Sequence, residues 1–334
     1  MKVLVTGAGG FLGRRIVESL LNMGVRDVRV HVRQTAPAGM VSSLQSRFPD
    51  AHIEVVPANL LAKGSLPALV QGVDCMVHAA AGMKGAAADM FANTVMATRN
   101  LLDAAGEAGV RRIVLISSFA VYRASDLKAG QVLDERVALE KTGVERGSYG
   151  YAKTRQEQMF HEYQQRFGFE AVVLRPGVIY GPGGGALSAR VGIKALGFFF
   201  SLGNGALLPL TYVDNCADAV AVAALKAPAG SSFSVVDDEL PTCSHYLRRY
   251  RNEVERLRSI PVPYWAFHWG AGVVTSYHRK SKGQLPAVFT PYVVESMYRP
   301  LRYSNAALKA IGWQQRVPTK EGLDRTFQAL KSAR

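Results

Sequence analysis

The chain has 334 residues, 48% hydrophobic and 20% charged, a balance that suits a soluble globular protein and argues against disorder. At roughly 100–200 residues per domain, this is one large domain or two smaller ones. Forty Lys and Arg against 26 Asp and Glu leave a net charge of +14. Such a charge would suit nucleic acid, an anionic membrane or acidic ligands. Here it is spread along the chain, densest at Arg248, Arg249, Arg251, Arg256 and Arg258, with no zinc-finger or RNA-binding aromatic signature, so no nucleic acid is expected. Cys75, Cys216 and Cys243 are far apart and form no CxxC pair. That argues against a disulfide framework or a cysteine zinc site, points to a reducing compartment, and leaves no metal expected.

The first half alternates strand and helix. Val3–Thr6 reads as a short apolar strand, and Phe11–Met23 has helical periodicity. Val28–Val32, His52–Val56, Asp74–His78 and Ile113–Ser117 read as further strands, with a long helix over Met90–Ala105 between the last two. Alternation of this kind predicts an α/β fold: a doubly wound parallel sheet of Rossmann type with right-handed crossovers and helices on both faces. In the second half Ser148–Phe167 reads as a helix and Ala171–Leu174 as a strand. Val213–Leu225 reads as an apolar helix, Phe233–Val236 as a strand and Thr242–Leu257 as a basic helix. Ile260–Pro300 is rich in Pro and aromatics without a clear period, and Asn305–Ile311 and Lys320–Ala329 close the chain as helices. The expected division is a dinucleotide-binding domain over 1–175, with 205–228 returning to it, and a smaller mixed substrate lobe over 176–334. The longest apolar stretch, Ala195–Leu202, is far short of the roughly 20 residues that span a membrane. The chain opens directly on a strand without a signal-peptide pattern, so a cytoplasmic protein is expected, with contact to a membrane surface left open.

Thr6–Gly13 is a glycine loop between the first strand and the first helix, with Gly7, Gly10 and Gly13 at three-residue spacing. One glycine permits the tight turn, one lets backbone approach a pyrophosphate, and one allows close packing of helix on strand. The phosphates would face free N–H groups at the helix N-terminus. About 20 residues on, an acid for the ribose 2′-hydroxyl is absent; the second strand ends in Arg33-Gln34, which suits a 2′-phosphate and hence NADP(H), with NAD(H) as the alternative. The competing reading of Arg33 is a solvated surface cation.

Tyr149 and Lys153 lie four apart on the helix starting near Ser148 and so share a face. An ammonium beside a phenol stabilises the phenolate and lowers its pKa from about 10, making Tyr149 a usable acid or base. Tyr151 has no lysine at that spacing. Ser118, at the end of the fifth strand, stands where open α/β sheets bind ligands and could donate a hydrogen bond to a substrate oxygen.

Together these motifs resemble the extended short-chain dehydrogenase/reductases, the epimerase/dehydratase and 3β-hydroxysteroid dehydrogenase-like branches included. The resemblance runs through nearly the whole chain. It places Gly7, Gly10, Phe11, Leu12 and Gly13 in the cofactor loop and Ala79, Ala80 and Ala81 along the cofactor. Arg33, Asn59 and Leu60 fall at the adenosine end, Asn59 standing where Asp is usual, and Pro176 and Val178 in the segment closing over nicotinamide. Ser118, Tyr149 and Lys153 fall on the catalytic residues, with Asn93 as the helix asparagine counted beside them, and Tyr149 and Lys153 also touch the cofactor. Thr211–Asn215 resembles the later motif joining the two lobes.

What the resemblance implies is an oxidoreductase interconverting a secondary alcohol and a ketone, with Tyr149 moving the proton. The alternatives are a nucleotide-sugar epimerase with tightly bound NAD and a non-enzymatic NADP-binding regulator. Ser118-Phe119-Ala120 lacks the acid pair of dehydratases, and Pro176-Gly177 stands where sugar-nucleotide members carry a phosphate-holding Asn. The segments Ser234–Pro241 and Leu285–Pro291 are more similar to the steroid-dehydrogenase-like branch. Tyr264, Trp265, Phe267, His268 and Trp269 could line an apolar small-molecule site, rest on a membrane, or pack as core; His268 and His278 read as structural. A homodimer is left open.

Overall fold

The computed structural model describes residues 1–83, 85–185, 187–195, 197–280 and 289–333. Most of Leu285–Pro291 and the side chain of His278 lie outside the described residues. In chain order the elements begin β1 (Lys2–Thr6), α1 (Gly13–Asn22), β2 (Asp27–Val32), α2 (Met40–Arg47), β3 (His52–Pro57), α3 (Leu66–Val70) and β4 (Cys75–His78). They continue with α4 (Ala87–Phe91), a π-turn over Ala92–Met96, α5 (Ala97–Glu107), β5 (Arg112–Ile116), β6 (Val132–Leu133), α6 (Gly147–Phe167), β7 (Glu170–Pro176) and β8 (Val178–Tyr180). The rest are β9 (Gly192–Ala195), β10 (Phe198–Ser201), β11 (Leu210–Tyr212), α7 (Val213–Lys226), β12 (Ser232–Val235), α8 (Cys243–Glu253), β13 (Ser259–Pro261), α9 (Tyr264–Lys280), α10 (Pro291–Tyr298), β14 (Arg302–Tyr303), α11 (Ala306–Ala310) and α12 (Thr319–Ser332).

Seven strands form one parallel sheet in the order β12-β7-β5-β4-β1-β2-β3. The period-two rule sorts its side chains between two apolar layers. In β1, Val3 and Val5 join Ile16 and Leu20 of α1 and Val220 of α7, while Leu4 joins Met76, Leu101, Ile113 and Phe160 on the other face. The chain winds outward from β1 to β3, then returns to β4 and continues the other way. That reversal opens a crevice at the carboxyl ends of β1 and β4, the place where open sheets bind ligands.

The expected helix over Met90–Ala105 is there, but as α4, the π-turn and α5 in sequence. The expectation for Ile260–Pro300 fails: it contains the helices α9 and α10. The periodicity was hidden because α9 is apolar all round, with Phe267 and Ala271 packed inward while Trp265 and Trp269 face out, so polar contrast is missing. A second, three-stranded sheet has the order β13-β10-β9, and Tyr180, Leu208, Tyr212, Tyr246, Tyr250 and Phe327 form a separate apolar cluster, while Leu308 and Trp313 near the end of the chain pack into the core of the large sheet. Among the described residues no helix is long and apolar enough to cross a membrane.

Candidate active site

The glycine loop has the geometry its spacing requires. Gly7 sits at φ +67, in the left-handed region that favours glycine. A Cβ on Gly13 would lie 2.1 Å from the Gly7 carbonyl oxygen, so only glycine lets α1 start this close to the loop. The start of α1 has no side-chain cap; the Arg14, Arg15 and Ile16 N–H groups are taken by the Gly10 and Leu12 carbonyls, so an anion here would meet the N–H groups of the turn just before them. The residues present therefore fit a dinucleotide pyrophosphate. Ala80 packs its backbone against Gly7, and its N–H donates to Thr6 Oγ1 at 3.3 Å. The Phe11 and Leu12 side chains pack on the Tyr180 cluster.

The loop is propped by a residue the sequence reading passed over. His31 Nδ1 accepts from Gly7 N–H at 3.2 Å, so its Nε2 carries the proton and donates to the Ala58 carbonyl at 2.9 Å. Burial lowers the pKa of His31 and keeps it neutral. Arg33, expected at the adenosine end, is exposed, and its Nη2 donates to Asn93 Oδ1 at 3.0 Å. Asn93 sits in the π-turn, a feature frequent at functional sites, and its Nδ2 donates to the Asp89 carbonyl at 2.8 Å. Asn59 is exposed and its Oδ1 accepts from Leu61 N–H at 3.1 Å. The Leu60 side chain is in the core, so only its backbone is available to a ligand.

Ser118, Tyr149 and Lys153 converge at the carboxyl end of β5. Tyr149 lies close enough to Ser118 for the serine side chain to favour its phenolate, and Ser118 Oγ accepts from Ala120 N–H at 3.2 Å. The expected lowering of the Tyr149 pKa by Lys153 does not occur. Burial of the phenol raises it, with the Ser118 bond opposing, while Lys153 is engaged elsewhere. Its Nζ donates to the Ile116 carbonyl and to Gln156 Oε1, both at 2.9 Å. Burial lowers the Lys153 pKa to about 8, with Glu157 opposing. Tyr151 stacks on Phe91, ring centroids 5.9 Å apart.

Beneath Lys153 runs a buried polar chain whose every donor can be assigned. Thr98 Oγ1 donates to the Thr94 carbonyl at 2.5 Å, so it accepts from Gln156 Nε2 at 2.8 Å and from His78 Nε2 at 2.8 Å. His78 is then unprotonated at Nδ1, which accepts from Thr6 Oγ1 at 2.7 Å. Burial pushes the His78 pKa down to about 3, with Lys153 and His31 adding to the fall, in keeping with a neutral ring. The chain joins the glycine loop to Lys153 through β1, β4, α5 and α6.

Two further features depend on close packing and burial. Gly177 follows Pro176, and a Cβ there would lie 2.2 Å from the Pro209 carbonyl oxygen, which itself accepts from Val178 N–H at 2.7 Å. No side chain fits at 177. Arg146, one turn ahead of Tyr149, is 5% exposed, with Nε 4.0 Å from Glu140 and 3.3 Å from the Ala120 carbonyl. Its Nη1 is buried without a hydrogen-bond partner among the described residues. Burial and the nearby Arg190 charge lower its pKa to about 10, with Glu140 opposing. Nothing in the Tyr-x-x-x-Lys spacing signals Arg146, Gln156 or His78, because each becomes special only through neighbours distant in sequence. The His268 ring bonds Glu295 Oε1 at 2.9 Å, tying α9 to α10.

A doubly wound sheet, a glycine loop at its switch point and a Ser–Tyr–Lys group beside it define a dinucleotide-binding α/β protein of the dehydrogenase/reductase and epimerase kind. The chain belongs to the NAD dependent epimerase/dehydratase family, whose model matches residues 3–235. It is 31% identical over 194 residues to the uncharacterized UDP-glucose epimerase YtcB of Bacillus subtilis (strain 168), spanning 54% of this chain and little more than half, 58%, of that protein. It is 26% identical over 336 residues, 98% of this chain and 96% of the other, to the 4-hydroxy-2-methyl-3-oxo-4-farnesyl-3,4-dihydroquinoline-1-oxide ketoreductase of Stigmatella aurantiaca. The fold is shared with the NAD complex of UDP-glucose 4-epimerase from Thermus thermophilus, at 20% identity over the whole of both chains and a TM-score of 0.72.

Proposed function

We propose that the protein is an NADP(H)-dependent reductase that interconverts a ketone and a secondary alcohol. The observation that carries this reading is the convergence of Ser118, Tyr149 and Lys153 at the carboxyl end of β5, with Lys153 Nζ bonded to the Ile116 carbonyl and burial raising the Tyr149 pKa: the phenol stays protonated at neutral pH, poised to give a proton to an oxygen that gains charge. A bound nicotinamide dinucleotide supplies the hydride for the carbonyl carbon. Ser118 donates a hydrogen bond to the carbonyl oxygen, and Tyr149 delivers the proton to it. Lys153 has one ammonium hydrogen beyond those given to Ile116 and Gln156, and it serves Tyr149 or the cofactor ribose. The Stigmatella relative, a ketoreductase by name and similar through almost its full length, supports the same direction.

Against the epimerase alternative stands Gly177. A phosphate-holding Asn cannot occupy that seat while the Pro209 carbonyl closes on it. A buried guanidinium with an unmatched donor, Arg146, suits a substrate that carries an anionic group, which fits either reading.

The test is cofactor oxidation with wild type and Tyr149→Phe over oxo acids, their methyl esters and NDP-sugars. Ketone-dependent NADPH oxidation is expected, lost in the variant while NADPH binding is nearly intact. An epimer formed from an NDP-sugar with the cofactor spectrally unchanged at the end would overturn the reading in favour of epimerisation.

NADP(H) preference rests on Arg33, an exposed guanidinium whose Nη2 is bonded to Asn93 Oδ1 at 3.0 Å. A guanidinium bond to a 2′-phosphate contributes roughly 1.5–3 kcal/mol, about tenfold or more in affinity. Titration of both cofactors should show wild type preferring NADP(H) by that margin and Arg33→Ala losing it selectively; equal affinities in wild type would refute the preference.

A further inference from the structure

The outer face of α9 is apolar and uncovered among the described residues. Trp265, Trp269, Val273 and Tyr277 follow at four-residue spacing and are 73%, 69%, 49% and 54% exposed, with Val274 beside them at 44%. The inner face is anchored. Phe267 and Ala271 pack with Leu202, Val294 and Tyr298, and Phe267 meets Tyr298 edge-on at 5.2 Å. The helix is thus fixed to the body and presents two indoles outward by construction. Contiguous exposed apolar surface of this kind marks an interaction site.

Charge selects the partner. From 256 to 294 there is no Asp or Glu, while Arg256, Arg258, Arg279, Lys280 and Lys282 are all basic. A second copy of the chain would bring the same positive charge against itself. An anionic lipid surface complements both features. Trp and Tyr favour the headgroup level, where one end of the ring is apolar and the other wet, and each nearby Lys or Arg strengthens attraction to acidic headgroups. A helix of 17 residues that is fixed on one side and apolar on the other lies in the interface and does not cross it.

We propose that α9 is an interfacial helix that docks the protein peripherally on an anionic lipid surface, with Trp265, Trp269, Val273 and Tyr277 entering the headgroup boundary. The proposal stands independently of the reaction catalysed. Helix α10 lies between α9 and the segment of Arg146: Tyr292 of α10 donates to Glu140, the carboxylate beside Arg146. Docking through α9 would therefore hold the substrate side of the cleft near the lipid.

The chain supplies its own probe. Of its three tryptophans, Trp313 is 1% exposed, and Trp265 and Trp269 are the exposed pair. Full-length protein is mixed with phosphatidylcholine vesicles with and without phosphatidylglycerol. Expected are co-sedimentation and a blue shift of emission on the phosphatidylglycerol vesicles, weakened by salt, with quenching by brominated lipid. Binding should fall by about tenfold or more in the double variant Trp265→Ser, Trp269→Ser. The residual Trp313 emission and NADPH binding report whether that variant is folded; brominated-lipid quenching of wild type decides the matter if it is not. Absence of quenching and co-sedimentation on the acidic vesicles, or equal binding by the folded double variant, overturns the proposal. So does a concentration-dependent dimer that buries both indoles and is lost in the double variant, which would assign the face to a second copy.

Discussion

At Lys153, two of three ammonium hydrogens are committed to Ile116 and Gln156, so the direction of the third is set by a glutamine that sequence gives no reason to notice. Gln156 in turn is held by Thr98, and Thr98 by the Thr94 carbonyl. With the Lys153 pKa near 8, reductive kcat/KM should decline as pH rises through that value. Removing the acceptor destabilises the ammonium and lowers its pKa; replacing it by a carboxylate raises it. Gln156→Leu should therefore move the alkaline limb down by about one unit and Gln156→Glu up by a similar amount, since a hydrogen bond to a charged group contributes about 1.5–3 kcal/mol and a unit is about 1.4. pH profiles of the two variants check this; shifts of the same sign in both would mean that Gln156 acts only through packing. Tyr149, Lys153 and Ser118 could be read from the chain because helical spacing and a strand end place them without knowledge of any distant contact. The environment that sets their pKa values could not. Burial raises Tyr149, where the spacing alone suggested that Lys153 would lower it.

Helix α6 carries more than Tyr149 and Lys153. Glu157, 2% exposed, binds Arg175 of β7, 5% exposed, at 2.5 Å, and Ser117 donates to the same carboxylate. Burial alone would raise the Glu157 pKa; His161 at 3.9 Å, the Arg175 charge and the bonds from Arg175 and Ser117 outweigh it and hold it at about 2. Removing one partner of a buried pair leaves the other uncompensated, at a cost of about 3–5 kcal/mol. Glu157→Gln should lose that much in urea unfolding near pH 7. Because the folded pKa is depressed, the wild-type advantage is present above the ordinary value of 4.5 and disappears as pH falls toward about 2; a gap between the two proteins that stays constant across this range would contradict the assignment. At this scale the sequence was legible wherever an element shows contrast between faces. Helix α1, with Ile16 and Leu20 inward, follows its periodicity. Helix α9 did not reveal itself, since both its faces are apolar.

Over the whole molecule, tertiary contacts join segments far apart in the chain. Asn215 donates to Asp237 at 3.0 Å and to the Val317 carbonyl at 2.8 Å, and its backbone carbonyl accepts from Trp313 Nε1 at 3.1 Å. One residue at the start of α7 thus ties the sheet to the closing segments. β12 completes the sheet beside β7, so the chain leaves the sheet after β7, forms β8 to β11, and returns. By itself the sequence determined the alternating α/β class, the glycine loop and the Ser–Tyr–Lys set, because each rests on local periodicity or on a backbone demand that only glycine meets. Only the tertiary structure decided that Arg33 meets Asn93, that Gly177 is closed by Pro209, that Arg146 keeps a buried donor free, and that two tryptophans remain outside. These follow from the packing of surfaces distant in sequence, and burial, which sets both pKa and exposure, exists only once those surfaces have met.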